Sequence, residues 1–406
     1  MLKKIGVYHL LPFIIACLFF FISYQLIISD LIDNNVDVKP LETKIISGAQ
    51  TQLKDRYARL DNDNYELNYI ASIKNKKQIT LFGSSEFSES PYVTYNFLPS
   101  KKNAQILGVG HAHHQILSIL IELLAAHPEN KGSKVVFFLS PGWFGAQGTN
   151  SEAFVEFAKP NFLNRIVNDS SIQQKYKVHI GRFIDLKHSE FEGVSISMNY
   201  LRGVYLDSQL SQISNTQLEQ FINKNFSGTK HKAIIPKVEY QLELTYLTPP
   251  PSIIINYDSI AHQLKNEFVA NITSNNLYVN DDYYTKYLLK DDGTEREELI
   301  TEIDISTNEE YQDFKRLVEY VKEREMEASF IIIPYNPYYF KNADIYLPLI
   351  DSLTSTLESN NLPYYNLYAG DTLSYDPGVL TDVMHFGDYG WMKVNKYIDS
   401  LYYGND

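Results

Sequence analysis

The chain contains a single cysteine, Cys17, among 406 residues. Because Cys17 lies inside an apolar segment near the start of the chain, the rest of the protein has no disulfide, no thiolate metal site and no cysteine nucleophile. A domain of this size buries enough apolar surface to fold without disulfides. An enzyme that uses a covalent intermediate on the main body of this chain must therefore use another nucleophile.

Basic residues are in the minority. Lys and Arg number 36 against 49 Asp and Glu, which gives a net charge of −13, and the sequence contains no cluster of Lys and Arg. Proteins that bind nucleic acids use such clusters to contact phosphates. The composition therefore argues against a nucleic-acid partner.

The first residues predict a membrane anchor. Lys3 and Lys4 precede an apolar run at 10–28, which is close to the ~20 residues that cross a bilayer as a helix. The lysines are expected on the cytoplasmic side, with the bulk of the chain outside. A cleavable signal peptide is the alternative, although no small-residue cleavage site closes the run. The sequence IIAC at 14–17 loosely resembles a lipoprotein box, but the apolar run continues beyond it.

Short apolar runs alternate with helical patterns along the remaining chain. The predicted strands lie at 78–82, 104–110, 134–141, 328–335 and 364–367. The predicted helices between and around them lie at 52–73, 116–124, 309–325, 345–357 and 390–402. This alternation predicts an α/β fold with a mainly parallel sheet flanked by helices on both faces.

The domain organisation follows from changes in composition. Residues 1–30 are predicted to form a cytoplasmic tip and transmembrane anchor, residues 31–50 a polar stalk, and residues 51–406 an extracytoplasmic domain. Residues 145–305 are richer in Asn, Ser, Tyr and charge and are predicted to be a large, mixed insertion in that domain. Its clearest helical patterns lie around 152–158, 216–225 and 260–269.

The first predicted strand ends in the sequence GSSE at 83–86. This places Ser85 at a predicted strand-to-helix corner, where the start of a helix would offer backbone N–H groups to developing negative charge. A serine hydroxyl needs a neighbouring base before it acts as a nucleophile. The alternative is that Ser84 or Ser85 caps the following helix and that Glu86 supports its first turn.

The sequence DVMH at 382–385 offers that base. Asp382 would hold the ring of His385 through Nδ1 and leave Nε2 facing the serine. The alternative is an ordinary surface pair of an aspartate and a histidine. Because the serine and the Asp-x-x-His sequence stand at opposite ends of an α/β pattern, we predict a catalytic triad of Ser85, His385 and Asp382 for acyl transfer. The carboxyl ends of parallel strands are where such groups meet.

Four motifs in order resemble the SGNH hydrolase superfamily and, within it, the DltD family of D-alanyl transfer proteins in teichoic-acid D-alanylation. They are FGSSE at 82–86, LSPGWF at 139–144, NLYVNDDYY at 276–284, and DVMH at 382–385 with the following Gly387 and Trp391. The resemblance covers nearly the whole chain. It implies a three-layer, flavodoxin-like SGNH domain behind one transmembrane helix, with Ser85 as nucleophile, His385 as base and Asp382 as its partner.

The resemblance also implies residues that bind the substrate or the oxyanion. Gly110, in preference to Gly108, matches the glycine whose N–H contacts the oxyanion, and Trp143 is expected near the substrate. Apart from the resemblance, one of the histidines at 111–114 is expected to line the pocket beside Gly110, and His113 is the candidate. The third donor stays open, since Ser140 stands where an asparagine is usual. The histidines of HAHH at 111–114 offer zinc ligands, but no nearby Asp or Glu completes a site, so we expect no metal.

The function implied by the resemblance is that of a membrane-anchored serine acyltransferase or esterase. It would take D-alanyl groups from a carrier or a membrane-embedded acyltransferase partner and transfer them to teichoic acid, without a cofactor. Two other interpretations stay open. One is an SGNH-type O-acetyltransferase or esterase acting on a surface polysaccharide with the same triad. The other is a non-catalytic scaffold that binds a carrier or polymer on a hydrolase-like fold.

Overall fold

A five-stranded parallel sheet forms the centre of the fold in a computed structural model of the chain. The structure describes residues 76–210 and 254–404, apart from 88, 89, 103, 111, 146, 147, 192 and 297, together with Ile45–Ile46, Ile73 and Thr245–Tyr246. The strands are β1 (Gln78–Gly83), β2 (Gln105–Gly110), β3 (Lys134–Leu139), β4 (Glu327–Ile332) and β5 (Tyr364–Asn366).

The strand order is β2-β1-β3-β4-β5, and every neighbouring pair is parallel. The prediction of an α/β fold with a mainly parallel sheet is therefore confirmed, and the strands lie close to the predicted positions. A separate parallel pairing joins Ile45–Ile46 to Thr245–Tyr246. The first of these two segments falls within the predicted stalk.

Helices flank the sheet. They are α1 (Thr94–Lys101), α2 (Ile116–Ala125), α3 (Ser151–Phe157), α4 (Pro160–Asn168), α5 (Gln174–Leu186), α6 (Ile196–Leu210), α7 (Tyr257–Asn271), α8 (Glu309–Glu323), α9 (Leu347–Ser359) and α10 (Asp388–Tyr402). The described part of the predicted insertion at 145–305 is mostly helical. The predicted helix at 216–225 lies outside the described residues, as does that at 52–73 except for Ile73.

Alternate residues of the strands face two different sets of helices, as the period of a β-strand requires. On one face, side chains of β1, β3 and β4 join a core with residues of α1, α7 and α10. Trp391 of α10 is fully buried there, with its ring centroid 5.5 Å from that of Phe138. On the other face, Phe137 stacks between Phe82 and Phe330, at 5.4 and 4.9 Å.

The predicted membrane anchor at 10–28 lies outside the described residues. Within the described ranges, none of the helices combines the length and the apolar character needed to span a bilayer.

Candidate active site

Ser85 is the second residue after β1 and is exposed to solvent. The prediction of a strand-to-helix corner at this serine is wrong, because the next helix, α1, begins only at Thr94. The chain instead turns inward after Ser85. Glu86 and Phe87 are buried, and the Glu86 carboxyl accepts the N–H of Ser84 at 2.5 Å. A helix start therefore supplies no N–H groups at Ser85, and Glu86 supports the turn rather than a helix.

Asp382 and His385 meet Ser85 at the edge formed by the carboxyl ends of the strands. His385 Nε2 lies 3.0 Å from Ser85 Oγ. His385 Nδ1 lies 2.8 Å from Asp382 Oδ2, while the other carboxylate oxygen accepts the backbone N–H groups of Met384 and His385, each at 2.8 Å. Asp382 is buried and has both oxygens occupied. The Asp-x-x-His turn thus fixes the ring through one nitrogen and directs the other at the serine.

The surroundings of His385 in the protein favour the protonated form of its ring more than water does. Burial disfavours the imidazolium and by itself lowers the pKa of His385. The hydrogen bond and the charge of Asp382, together with the charge of Glu86, act in the opposite direction and prevail. The pKa of His385 is therefore raised above its usual 6.5. Burial in turn raises the pKa of Glu86, although its hydrogen bond to the Ser84 N–H opposes this shift.

Asn336 joins the segment after β4 to two other parts of the site. Its side chain is fully buried, its Nδ2 donates to the Leu277 carbonyl at 2.7 Å, and its Oδ1 accepts the N–H of Tyr338 at 2.9 Å. Its backbone N–H donates to the Val383 carbonyl at 3.1 Å. Asn336 therefore ties the turn that carries Asp382 and His385 to the sheet.

The tyrosine-rich segment at 276–284 packs beside this turn. The N–H of Asn280 donates to the Thr381 carbonyl at 2.9 Å. Tyr278 has a left-handed φ of 54° and packs against Tyr338, with ring centroids 4.9 Å apart and the ring planes tilted by 59°. Burial, followed by the charge of Asp382, raises the pKa of Tyr283 to about 12. Tyr278, Tyr283 and Tyr338 therefore form a wall of tyrosines next to Asp382 and His385.

Gly110 is the last residue of β2 and pairs in register with Gly83. A Cβ at Gly110 would lie 2.2 Å from the Gly83 carbonyl oxygen. The two backbones therefore approach more closely than any residue with a side chain allows. This contact brings Gly110 next to the turn that carries Ser85.

The histidines after β2 take different positions. His113 is exposed and has a left-handed φ of 67°, whereas His114 is fully buried, with Nδ1 3.0 Å from the Gly83 carbonyl oxygen. His111 lies outside the described residues. In the described ranges, His, Cys, Asp and Glu form no group of three or more that could hold a metal ion.

Trp143 lies in the short turn Pro141–Phe144 after β3 and is largely buried. Its carbonyl accepts from Gln115 Nε2 at 3.4 Å, and Gln115 Oε1 accepts the N–H of Asn150 at 3.1 Å. The side chain of Asn150 caps α3. Asn150 is therefore engaged as a helix cap.

A family comparison decides which proteins the chain is related to. The family model described as DltD protein matches residues 59–403. The chain belongs to the DltD family. The resemblance to the DltD family inferred from the four motifs is therefore confirmed.

Two curated relatives are similar to most of this DltD-family chain. Protein DltD of Staphylococcus aureus is 21% identical over 346 residues, which cover 80% of this chain and 81% of the relative. Protein DltD of Bacillus subtilis is 22% identical over 363 residues, which cover 81% of this chain and 83% of the relative.

Sequence reasoning missed three residues around the site of this DltD-family chain. From the sequence, Glu86 is expected to support a helix, His114 is considered only as one of the histidines of HAHH that could bind zinc or line the pocket, and Asn336 is not singled out. A signal did exist for each, since Glu86 directly follows Ser85, His114 follows β2, and Asn336 follows the apolar run of β4. The buried contacts of His114 and Asn336, however, involve residues that are distant in the chain.

Proposed function

We propose that this DltD-family protein is a serine acyltransferase that transfers D-alanyl groups to teichoic acid on the outer face of the membrane. The observation that carries the proposal is the continuous chain of contacts from Asp382 through His385 to Ser85, at 2.8 and 3.0 Å. These distances suit general-base activation of a serine. Membership in the DltD family supports D-alanylation of teichoic acid, because the family implies a part in that pathway.

In the first step, Ser85 Oγ attacks the carbonyl carbon of an activated D-alanyl donor, and His385 Nε2 accepts the hydroxyl proton. Backbone N–H groups of Ser85 and Gly110 are the proposed donors to the oxyanion of the tetrahedral intermediate. The bond to the leaving group then breaks, and His385 returns its proton to that group. The product is a D-alanyl ester on Ser85.

In the second step, a hydroxyl of teichoic acid attacks the Ser85 ester while His385 accepts the hydroxyl proton. Ser85 leaves and regains a proton from His385, and the D-alanyl group remains on the polymer as an ester. Water in place of the polymer hydroxyl would release D-alanine, so transferase and esterase differ only in the second nucleophile. We propose that the insertion at 145–305 disfavours water at this step. His113, Trp143 and the wall of tyrosines are the proposed contacts of the substrates.

The location of the reaction rests on the sequence. The apolar run at 10–28, preceded by two lysines, supports a single-pass anchor with the catalytic domain outside. The D-alanyl donor would then be a carrier or a membrane-embedded acyltransferase partner on the same membrane. The SGNH-like nature of the fold is supported by the order of the motifs on the parallel sheet.

The proposal is tested by the variant Ser85→Ala in a host that depends on this chain for D-alanine esters. We expect the D-alanine ester content of the teichoic acid to fall to background, at a protein level equal to wild type. The matched control is Ser100→Ala, which removes an exposed serine hydroxyl from α1. A scaffold would keep the ester content in both variants. Purified full-length chain, assayed with D-alanyl and acetyl esters, separates D-alanyl transfer from O-acetyl transfer.

A further inference from the structure

Two buried side chains hold the peptide group that precedes the nucleophile turn. The carbonyl oxygen of Gly83 lies 3.0 Å from His114 Nδ1, and the N–H of Ser84 donates to Glu86 Oε2 at 2.5 Å. The carbonyl and the N–H belong to one planar unit, because the Gly83 carbonyl carbon is bonded to the Ser84 nitrogen. His114 is 0% exposed and Glu86 is 3% exposed. The orientation of this Gly83–Ser84 peptide group sets the path of the backbone into Ser85.

The contact with Gly83 also decides which nitrogen of His114 carries a hydrogen. A carbonyl oxygen only accepts hydrogen bonds, so His114 Nδ1 must be the donor. On the other side of the ring, Nε2 lies 3.4 Å from Glu122 Oε2, and both side chains are fully buried. The ring also packs on Phe157, with ring centroids 4.4 Å apart. The imidazole therefore cannot turn away from Gly83 without displacing buried neighbours.

The backbone around this peptide group leaves it little freedom. A Cβ at Gly110 would lie 2.2 Å from the Gly83 carbonyl oxygen, and a Cβ at Gly83 would lie 2.9 Å from Phe87 Cζ. The absence of both side chains lets β2 and Phe87 pack directly on the peptide group. The side chains of His114 and Glu86 hold the carbonyl and the N–H of this peptide group, and the close packing of β2 and Phe87 restricts its rotation.

We propose that His114 and Glu86 are positioning residues for Ser85, which hold the Gly83–Ser84 peptide group so that the serine hydroxyl points at His385. The proposal rests on the proposed function of Ser85. Neither residue needs to touch a substrate, since each acts through the backbone. An apolar replacement of His114 would remove the donor that His114 provides to the Gly83 carbonyl, a loss that favours rotation of the peptide group. A small displacement of Ser85 Oγ would then slow every reaction of the serine.

A matched pair of variants at His114 tests the proposal. Asn and Leu have nearly the same size and shape, but only Asn carries an N–H donor close to the position of Nδ1. Both variants lose the contact with Glu122, so that loss cancels in the comparison. In the full-length protein, we expect His114→Leu to lower the rate of Ser85 labelling by a fluorophosphonate probe by about 10²-fold, and His114→Asn to restore most of it. Equal labelling rates in the two variants would overturn the role of His114.

Glu86 is tested in the same way with Glu86→Gln and Glu86→Met, which have similar lengths. Gln keeps an oxygen that can accept the N–H of Ser84, and Met does not. The rates are compared at alkaline pH, where His385 is neutral in both variants and the lost charge of Glu86 has no effect on its ionisation. We expect Glu86→Gln to label markedly faster than Glu86→Met. Equal rates would overturn the role of Glu86.

A spectroscopic measurement tests the contact with His114 without any reaction. Nitrogen NMR of the full-length chain labelled with ¹⁵N-histidine reports which ring nitrogen carries hydrogen, and His114→Asn identifies the signal. We expect a hydrogen on Nδ1 of His114, and a neutral ring with hydrogen only on Nε2 would overturn the proposal. If wild type takes no label at Ser85, the proposed function fails and the positioning role fails with it. If wild type is labelled and His114→Leu is labelled equally fast, only the positioning role fails.

Discussion

His385 Nε2 lies 3.0 Å from Ser85 Oγ, although the two residues are 300 positions apart in the chain. Ser85 lies just after β1, the second strand in the order of the sheet, and His385 lies just before α10. Only the completed parallel sheet brings these two ends together.

The first prediction concerns the pH dependence of ester turnover. The ring of His385 accepts the serine proton only when it is neutral, and burial alone would lower its pKa. Asp382 and Glu86 prevail and raise the pKa of His385 above 6.5. We therefore expect kcat/KM to fall as the pH drops through an ionisation above 6.5. Measurement of kcat/KM against pH on the purified full-length chain checks this, and a profile that is flat down to pH 5 would be inconsistent with His385 as the base.

The second prediction concerns Asp382→Asn. This change removes the carboxylate charge that favours the imidazolium, while burial of the ring remains. The pH below which kcat/KM falls should therefore be lower in Asp382→Asn than in wild type. The maximal rate should fall by about 10²- to 10⁴-fold, because the ring loses the acceptor that orients it. If kcat/KM of Asp382→Asn falls at the same low pH as in wild type, a group other than His385 governs the pH dependence.

The third prediction concerns the buried amide of Asn336. Asn336→Leu has nearly the same volume but leaves the Leu277 carbonyl and the Tyr338 N–H without their partner. Each unpaired buried group costs about 1–3 kcal/mol. The tyrosine-rich segment beside Asp382 and His385 loses its bond to the Asn336 side chain, although the backbone bond from residue 336 to Val383 remains. We expect a lower free energy of unfolding in urea together with a large loss of ester turnover.

A matched control exists at Asn342, which pairs with both the N–H and the carbonyl of Ile300 at 2.8 Å. Asn342→Leu removes a similar double contact away from Ser85 and His385. We expect it to lower the free energy of unfolding while the turnover of the folded fraction stays near wild type. If the two variants lose the same fraction of turnover, Asn336 has no particular part in holding the site.

The fourth prediction concerns the close approach of Gly110 and Gly83. In Gly110→Ala the added Cβ would meet the backbone oxygen of Gly83 at 2.2 Å, so β2 must shift or separate from β1. We expect a destabilisation of about 1–3 kcal/mol or more and slower labelling of Ser85. The control is Gly193→Ala, where no atom lies within 4 Å of the added Cβ. Thermal unfolding checks both, and an unchanged Tm in Gly110→Ala would contradict the packing described here.

The fifth prediction concerns His113, whose left-handed φ of 67° is unfavourable for any residue with a side chain. His113→Gly removes this cost of about 1–2 kcal/mol but adds backbone entropy to the unfolded chain. We expect little change in Tm, and a higher KM with an unchanged kcat if the imidazole contacts the substrate. Asn361→Gly relieves a similar φ of 54° at the end of α9 and should leave KM unchanged. An unchanged KM in His113→Gly would remove His113 from the pocket.

Much of the fold was predictable because its signals are local. Each strand is a short apolar run bounded by glycine, proline or polar residues, so β3 and β4 could be recognised without knowledge of their neighbours. The pairing of Ser85 with His385 was predictable for another reason. The order of the motifs and the geometry of parallel strands place both at one edge of the sheet.

The path of the chain after Ser85 was not predictable from local signals. GSSE followed by a polar stretch is compatible with a capped helix, and only the buried pocket for Glu86 and Phe87 turns the chain inward. The same holds for His114 and Asn336. Their roles depend on carbonyl groups of Gly83 and Leu277 that are distant in the chain, and no periodicity in the sequence encodes such contacts.

The central claim is tested most directly by mass spectrometry of the full-length chain after reaction with a fluorophosphonate probe. Wild type should carry one label, located on Ser85, and His385→Ala should form it far more slowly at the same pH. Label on a different residue, or labelling of Ser85 at the wild-type rate without His385, would contradict the account.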